Sequence, residues 1–518
     1  MHWAFEEAQK IIHDHPNTIP LTCASGISPS GYIHVGNFRE VATTYFVVKA
    51  LKKLGAEPRY ILSWDDYDRL RKIPANVSGI AESEIGKAYT NVPSPDGDPN
   101  KSYASFFEKK FEADLAKLAI KPEYIYETTR YESGAYDELI KVALDQRLAI
   151  YDILAHFRTE APNAQERAHY YPISLYCDTC GHDATTITEY EEKTGTLHYT
   201  CKFGHSGTQI IGQGQHVKLH WKIDWPMRWT VEKVVYEPGG KDHSSKGGSF
   251  DVARKIVKEI FGGRAPDYEP YDFVNIKGQT KKMSSSSGNI ITLDELLKIY
   301  TPELVFYLYA KYLPKSPFDL GLDEDVLRNY AEFERKAAVL KSAEEPDELL
   351  EQMMYLTGVD LSKNIPAFSR VVNILSLTSN NQALTRGVLE KEGFTAEAIE
   401  HVLGRASYWI ENNAKDRLYQ VREQPDTAAF AALSSKVKHE LHEFAQLLAT
   451  KEFSDDQMMM QTVYDLTPET DKKAKRQAQK ELFQAIYHLT LGTDHGPRIP
   501  LLVKVVGKDK MIRLIDPA

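Results

Sequence analysis

Residues 18–64 read TIPLTCASGISPSGYIHVGNFREVATTYFVVKALKKLGAEPRYILSW. The stretch 18–25 is typical of a short buried strand, and the turn-rich loop 26–36 follows it. From Asn37 the apolar residues recur at helical spacing, and 60–64 resumes a strand pattern. A strand, a glycine loop, a helix and a second strand predict a βαβ unit with parallel strands.

The βαβ unit predicts an α/β fold class. We expect a Rossmann-like, doubly wound parallel sheet, in which ligands bind beyond the carboxyl ends of the strands. The chain has 518 residues, too many for one core, and it becomes mostly helical beyond residue 325. We therefore predict a first half of the sheet domain (1–75), a large insertion (76–210) with a zinc-ribbon-like segment (170–210), the second half of the sheet domain (211–300), connecting helices (301–340) and an all-α C-terminal domain (341–518).

Several shorter elements are also predicted. Residues 211–229 are apolar and aromatic in a β-like pattern, and 271–276 is expected to be a strand. Thr292 and Glu295 form a capping box that begins a helix. In the C-terminal part, helices are predicted at 325–343, 365–378, 395–411, 426–450 and 471–490.

The composition excludes several classes of protein. Hydrophobic residues make up 42% and charged residues 26%, and no apolar run is long enough to span a membrane. The first residues lack the basic and apolar regions of a signal peptide, and four cysteines are too few for a disulfide scaffold. We expect a cytoplasmic protein with no membrane partner.

The net charge of −10 argues against general binding to nucleic acid. A local patch is the exception, because residues 471–518 hold ten Lys and Arg against five Asp and Glu. Their cations form either the solvated face of a helix or a nucleic-acid contact. They are Lys472, Lys473, Lys475, Arg476, Lys480, Arg498, Lys504, Lys508, Lys510 and Arg513.

The run His34-Val35-Gly36-Asn37 lies where the glycine loop opens the predicted helix. Free backbone N–H groups and the helix dipole favour anions there, so the loop is a candidate phosphate site. His34 can donate a hydrogen bond to a phosphate oxygen, and Gly36 lets a ring or a phosphate approach the backbone. The alternative is an ordinary helix start that Asn37 caps.

A second candidate phosphate site is residues 281–289, which read KKMSSSSGN. Small hydroxyl residues and glycine make a mobile loop, and the two lysines supply positive charge. Such a loop can close over a polyphosphate and offset the charge that develops in phosphoryl or adenylyl transfer. The alternative is a flexible Ser-rich linker.

A third pattern is formed by Cys177, Cys180, Cys201 and His205. Three sulfurs and one imidazole at this spacing can close a tetrahedral zinc site. Zinc would be structural, because it would supply folding energy that a short polar segment lacks. His182 and His198 are alternative fourth ligands, and reduced cysteines without metal are the other interpretation.

The first two patterns resemble motifs of a known family. His34-Val35-Gly36-Asn37 is similar to the HIGH motif of class I aminoacyl-tRNA synthetases, with Asn37 in place of the last histidine. Residues 282–286 are similar to the KMSKS motif, with Ser285 in place of the second lysine, for which Lys281 or Lys277 could substitute. Residues 25–40, 64–68, 224–229 and 240–243 further resemble the class I lysyl-tRNA synthetases, in family order.

The resemblance implies the positions of the substrates. It makes His34, Asn37 and Lys282 the catalytic residues. The implied ATP-binding residues are Pro29, Gly31, His34, Gly36, Asn37, Lys281, Lys282, Met283, Ser284, Ser285 and Ser286. The implied lysine-binding residues are Gly26, Ser28, Asp65, Asp66, Trp221, Trp225, Asp242 and His243.

The physical chemistry of lysine is compatible with the residues implied to bind it. Its ammonium needs an acid, and its four-carbon stem needs apolar walls. Aromatic faces add a cation–π attraction of roughly 0.5–2 kcal/mol. The alternative is that the tryptophans are core residues and that Asp65 and Asp66 cap a helix.

The implied reaction uses ATP with Mg²⁺, L-lysine and tRNA(Lys). A lysyl-adenylate forms first, and the helical domain 341–518 binds the anticodon. We expect no DNA partner. The alternatives are a class I synthetase for another amino acid such as glutamate, a non-catalytic RNA-binding protein derived from a synthetase, and a related nucleotidyltransferase that does not use tRNA.

Overall fold

The computed structural model describes residues 1–158, 162–279, 283, 289–342, 345 and 347–517. The chain divides into two units. The first unit comprises Met1–Leu297, Pro302–Gly321 and Ser342–Val359, and the second comprises Lys298–Thr301, Leu322–Lys341 and Asp360–Ala518. No helix among the described residues has both the length and the apolar character that a membrane crossing requires.

The first unit mixes helices and strands. Its helices up to residue 321 are α1 (Trp3–Asp14), α2 (Val35–Lys53), α3 (Tyr103–Lys117), α4 (Glu127–Glu132), α5 (Asp137–Asp145), α6 (Arg147–His156), α7 (Ala164–Ala168), α8 (Trp221–Glu232), α9 (Ser249–Glu259), α10 (Leu293–Leu297) and α11 (Pro302–Ala310). Its strands are β1 (Leu21–Ile27), β2 (Pro58–Trp64), β3 (Glu123–Tyr126), β4 (Ile173–Leu175), β5 (Thr185–Glu191), β6 (Thr196–Cys201), β7 (Ser206–Ile210), β8 (Val217–Leu219), β9 (Val234–Gly240), β10 (Asp267–Tyr271), β11 (Val274–Ile276) and β12 (Phe318–Leu320).

The remaining elements are helices. They are α12 (Asp325–Ser342), α13 (Glu348–Thr357), α14 (Phe368–Leu377), α15 (Gln382–Lys391), α16 (Ala396–Asn413), α17 (Thr427–Ala432), α18 (Ser435–Thr450), α19 (Asp456–Asp465), α20 (Lys472–Leu491), α21 (Ile499–Val506) and α22 (Lys508–Ile515). Of these, α13 belongs to the first unit. In the second unit, Tyr330 stacks on Phe368 with ring centroids 3.8 Å apart, and the buried Trp409 packs against Phe368.

A five-stranded parallel sheet in the order β10-β9-β1-β2-β3 forms the centre of the first unit. Strands β1 and β2 pair from Leu21–Pro58 to Ile27–Trp64, with α2 between them in sequence. The predicted βαβ unit and the α/β fold class are therefore confirmed. Strand β1 is the central strand of this parallel sheet, and nearly every residue of it is buried, as is typical of a strand covered on both faces.

Helix α2 is fixed to a distant part of the first unit by Arg39. Its Nη2 atom donates to the backbone oxygens of Leu313, Pro314 and Ser316 at 2.9, 2.7 and 2.8 Å. The guanidinium also lies 4.9 Å from the ring centroid of Phe318 in β12. Since β12 pairs with β11, the strand before the serine-rich run, Arg39 connects α2 to the base of that run.

The insertion forms sheets of its own. Strands β5, β6 and β7 form an antiparallel sheet, and β4 pairs with β8. One apolar core joins them to the sheet domain, since Leu197 and Tyr199 of β6 cluster with Tyr67, Ile223 and other buried residues.

Three predictions of local structure were wrong in part. Residues 221–232 are helical and not β-like, because tryptophans four residues apart lie on one face of a helix. The predicted strand 271–276 is interrupted at Asp272 and contributes to two different sheets. The predicted helix 426–450 is broken after Ala432, where Leu433 is extended and Ser434 caps α18.

Candidate active site

Helix α2 begins with His34 as its cap. The Nδ1 atom of His34 accepts a hydrogen bond from Gly36 N at 3.0 Å, and Asn37 Oδ1 accepts one from His34 N at 3.2 Å. The alternative interpretation had Asn37 as the cap residue, but Asn37 occupies the third helical position. A backbone N–H only donates, so Nδ1 is unprotonated and a neutral ring carries its proton on Nε2. Such a ring can donate to a phosphate oxygen.

Gly36 is required for this arrangement. A Cβ on Gly36 would lie 2.7 Å from Cε1 and 2.8 Å from Nδ1 of His34, closer than real Cβ contacts. It would also lie 3.7 Å from Cε of Met283, which is 2% exposed. The structure therefore brings Met283, from the predicted lysine–serine loop, to the predicted HIGH-like motif.

The segment after that loop also pairs with the start of α2. Val35 N donates to Ile291 O at 2.9 Å, and His34 forms an isolated antiparallel bridge with Thr292. Thr292 and Glu295 form the predicted capping box of α10. Five predicted ATP-binding residues, Lys281, Lys282, Ser284, Ser285 and Ser286, lie outside the described residues.

An aromatic cluster is formed by α8 and its neighbours. Trp221 and Trp225 stack with ring centroids 5.1 Å apart, and Trp225 lies 4.8 Å from Trp229. The ring of His243 lies 6.0 Å from Trp221 and 6.1 Å from Trp225. Tyr268 of β10 lies 6.3 Å from Trp225. Three of the residues predicted to bind lysine, Trp221, Trp225 and His243, are thus brought together.

Asp65 follows β2 and pairs with a buried arginine that the sequence analysis missed. Arg228 Nη1 lies 2.8 Å from Asp65 and 3.1 Å from Glu127, and Nη2 lies 3.0 Å from Asp224. Although burial opposes its charge, the carboxylates of Asp224, Asp65 and Glu127 raise the pKa of Arg228 well above its usual value. Lys218 also pairs with Asp224, at 3.0 Å. Both buried cations are therefore neutralised by acids.

Asp66 has a different environment from Asp65. Its Oδ1 accepts from Thr128 N at 2.8 Å, and burial raises its pKa to about 7. Asp242 is exposed in the turn after β9. Asp65 and Asp66, although adjacent in sequence, therefore do not form one carboxylate pair. The loop between β1 and α2 contains Ser28, Pro29 and Gly31, of which Pro29 and Gly31 are buried.

Glu40 is the second functional candidate that the sequence analysis missed. Its Oε1 accepts from the N–H of Gly26 at 2.6 Å, and its Oε2 accepts from the hydroxyl of Tyr271 at 2.7 Å. Burial raises the pKa of Glu40 to about 8, and the negative charges of Glu237 and Asp65 act in the same direction. The available signal was an acid one turn after His34-Val35-Gly36-Asn37, in the first half of α2.

Comparison with known proteins identifies the family of the chain. The sequence model of the family described as tRNA synthetases class I (K) matches residues 1–360. The chain belongs to this family of class I tRNA synthetases. The family resemblance predicted from the motifs is thereby confirmed, and the chain is a ligase.

Relatives align with the synthetase over its whole length. A lysine–tRNA ligase of Treponema pallidum is 34% identical over 539 residues, covering 100% of this chain and 98% of the relative. A lysine–tRNA ligase of Pyrococcus horikoshii is 32% identical, covering 99% of each chain. Among solved structures, a glutamate–tRNA ligase of Elizabethkingia meningosepticum, in complex with its amino acid, aligns with a TM-score of 0.46 and 14% identity, covering 96% of this chain and 98% of that one.

The synthetase also has a candidate metal centre in its insertion. Ligand atoms of Cys177, Cys180, Cys201 and His205 all lie within 4.8 Å of one another. Cys177 N–H, by contrast, is bonded to His182 O, and the ring of His182 contacts the backbone oxygens of Ser83 and Cys180. His198 contacts Glu191 and Thr208. The donor set Cys₃His fits zinc, and His205 is the histidine that the structure places with the sulfurs.

Replacing Gly36 with alanine tests the His34 geometry. We expect Gly36→Ala to displace the imidazole and to lower ATP–pyrophosphate exchange about 100-fold, because a displacement near 1 Å can cost that much. Gly404→Ala is the matched control, since Gly404 is helical and a Cβ there meets nothing within 4 Å. Steady-state exchange rates measure both variants. Equal rates for Gly36→Ala and the wild type would contradict the assigned role of the glycine.

Proposed function

We propose that the synthetase joins L-lysine to tRNA(Lys) in two steps. A lysine carboxylate oxygen attacks the α-phosphorus of ATP, and the bond to pyrophosphate breaks, leaving lysyl-adenylate. The 2′-hydroxyl of the terminal tRNA ribose then attacks the lysyl carbonyl and releases AMP. The observation that carries the proposal is the approach of Met283 to Gly36, which supports a single ATP site between the two motifs.

In the first step, His34 and the lysines of the loop stabilise charge and form no bond. His34 donates from Nε2 to a phosphate oxygen, and Lys281 and Lys282 offset the charge that develops on the phosphates. Mg²⁺ accompanies ATP as its counter-ion. Pro29, Gly31 and Asn37 shape the loop in which the nucleotide lies. The loop residues Ser284, Ser285 and Ser286 complete the proposed ATP site.

Glu40 is the acid that we propose for the lysine ammonium. It accepts a hydrogen bond from Gly26, a residue predicted to contact lysine, and another from Tyr271 of β10, the strand that also contributes Tyr268 to the aromatic cluster. Burial is the main reason that its pKa is raised, and a bound ammonium would favour its charged form. Trp221, Trp225 and His243 provide walls for the aliphatic stem.

The charges in the site favour lysine over glutamate. The side-chain carboxylate of a glutamate substrate would need a cation that is not already paired with acids of the protein. Arg228 already contacts Asp65, Asp224 and Glu127, and Lys218 contacts Asp224, so neither cation has charge to spare. We therefore propose that Asp65 holds Arg228 in position beneath the tryptophans. The guanidinium of Arg228 lies 5.3 Å from the ring centroid of Trp221.

We further propose a structural zinc held by Cys177, Cys180, Cys201 and His205, which would tie the turn after β4 to the turn after β6.

The helical residues 341–518 are proposed to bind the anticodon arm of the tRNA. The four cysteines are free thiols in the structure, in keeping with action in the cytoplasm.

Amino-acid specificity tests the proposed function directly. We expect L-lysine to stimulate ATP–pyrophosphate exchange and glutamate, glutamine and arginine to leave it at background. Charging of tRNA(Lys) transcript should then require both lysine and ATP. Exchange driven by glutamate would favour the alternative substrate, and no exchange with any amino acid would favour a non-catalytic RNA-binding protein.

The ammonium partner is tested by Glu40→Gln, which removes the charge, keeps one acceptor oxygen for Gly26, and replaces the other oxygen by an amide group that can donate to the hydroxyl of Tyr271. We expect KM for lysine to rise about 100-fold, since breaking a buried pair costs about 3 kcal/mol, with a smaller change in kcat. In the wild type, lysine affinity should increase as the pH rises to about 8, because Glu40 then loses its proton. Glu40→Gln should abolish that increase.

The control for Glu40 is Glu269→Gln, because burial also raises the pKa of Glu269, in β10. This variant should retain the pH dependence of lysine affinity. If Glu40→Gln retained it as well, another acid would hold the ammonium.

Metal analysis tests the proposed zinc. Protein purified without chelator should contain about one zinc per chain, and Cys201→Ser should lose it and melt at a lower temperature. Cys23→Ala and His182→Asn should both keep the metal, because neither side chain belongs to the cluster. Zinc bound equally by Cys201→Ser and the wild type would rule out this ligand set.

A further inference from the structure

The second unit contains a cavity of about 660 Å³ among α19, α20 and α21. Its size is within the range of small-ligand pockets, and so it is large enough for a nucleobase. The aromatic residues of its lining are Tyr464, Phe483 and Tyr487, and its cations are Arg370 and Arg498. Aromatic rings beside guanidinium groups are a combination that binds unstacked bases.

Phe483 and Tyr487 are partly buried and Tyr464 is exposed, so each ring has a surface available to a ligand. Tyr464 and Phe483 meet edge to face, with centroids 5.6 Å apart and planes at 89°. The hydroxyl of Tyr487 donates to Pro497 O at 2.7 Å, which fixes that ring to the loop before α21. These contacts hold the rings in place before any ligand arrives, which lowers the entropic cost of binding.

The loop before α21 approaches the cavity wall unusually closely. A Cβ on Gly496 would lie 2.5 Å from Cδ1 of Tyr487 and 3.0 Å from Leu491. Only glycine allows this approach without moving the tyrosine ring. The cavity is therefore shaped by specific packing rather than left by loose packing.

A basic stripe leads along α20 into the cavity. Arg476, Lys480, Phe483 and Tyr487 follow one another at intervals of three or four residues, so they lie on one face of the helix. The opposite face is buried in the unit, and Arg476 and Lys480 are exposed. Cations are thus followed by aromatic rings along a single path.

The cations of this path can contact an anionic ligand. Within the described part of the chain, Arg476, Lys480 and Arg498 form no ion pair. Asp456, the acid in the cavity lining, is paired with Lys504 at 2.7 Å. The path therefore favours an anion.

We propose that this cavity binds one unstacked base of the tRNA anticodon loop. Phe483 and Tyr487 contact the base, Arg498 lies at its edge, and Arg476 and Lys480 contact neighbouring phosphates. Bases that are splayed out of a loop and stacked on aromatic side chains are the usual targets of sequence-specific RNA recognition. This assignment rests on the proposed function, because it takes tRNA(Lys) as the partner.

The test measures binding of an isolated anticodon stem–loop of tRNA(Lys) to the full chain. Phe483→Leu keeps an apolar side chain but removes the ring, and we expect affinity to fall about tenfold. Replacing single loop nucleotides by abasic ones should identify one position whose removal weakens wild-type binding. At that position, removal of the base should weaken binding to the Phe483→Leu variant only slightly, because the ring and the base form one contact.

The phosphate contacts have a separate readout. Arg476→Ala and Lys480→Ala should each reduce the salt dependence of stem–loop binding, by about 0.7 in the slope of log K against log salt. Lys391→Ala is the matched control, since Lys391 is exposed on α15, away from this path. It should leave both affinity and slope unchanged.

Charging assays separate this inference from the proposed function. Lysine-dependent ATP–pyrophosphate exchange involves no tRNA and should be unaffected by Phe483→Leu, and charging of a minihelix that lacks the anticodon arm should also be unaffected. The inference is wrong if Phe483→Leu binds the stem–loop like the wild type, or if no abasic position couples to it. Absence of exchange in the wild type would instead refute the proposed function.

Discussion

The hydrogen bond from Val35 N to Ile291 O, 2.9 Å long, joins the start of α2 to the segment after the lysine–serine loop, and the proposed nucleotide site depends on this connection. Val35 is in the first turn of α2, and Ile291 follows the lysine–serine loop. Tyr309 adds a second connection by donating to Val35 O at 2.7 Å. A loop that must close over a triphosphate needs a fixed base, and these bonds provide it on the helix that carries His34.

Arg39 extends the same constraint to the other end of the loop. Its three bonds to the backbone between Leu313 and Ser316 hold the segment that leads into β12, and β12 pairs with β11, which ends before the loop. Charge-assisted bonds of this kind are stronger than neutral ones. Helix α2 thus fixes both ends of the lysine–serine loop, although they are far from α2 in sequence.

Arg228 has a comparable role in the proposed lysine site. It reaches Asp224 within α8, Asp65 after β2 and Glu127 at the start of α4. Removing it would take the ion-pair partner from the buried carboxylates of Asp65 and Glu127, which is strongly unfavourable. The position of the tryptophans on α8 relative to the carboxyl end of β2 therefore depends on one ion-pair network.

Features whose sequence signal is local could be predicted. The βαβ unit lies within residues 18–64, and the Cys₃His cluster follows from three cysteines and a histidine in two short segments. Glu40 could not be predicted in this way, because its partner Tyr271 is 231 residues away and no local pattern pairs them. Arg228 was missed for the same reason. The roles of Asp65 and Asp66 could not be separated either, since adjacent residues after a strand point in different directions and meet different elements.

Net charge explains less about RNA binding than the pairing of individual charges does. Among the cations near the end of the chain, Lys504, Lys508 and Lys510 pair with Asp456, Glu452 and Glu423. The charges of these three lysines are therefore largely neutralised by ion pairs within the second unit. Within the part of the chain that the structure describes, the cations on the outer face of α20 have no such partners, so the field there is positive although the whole chain carries −10. An acidic protein can therefore hold RNA along one helix, and its remaining surface repels RNA and restricts where it docks.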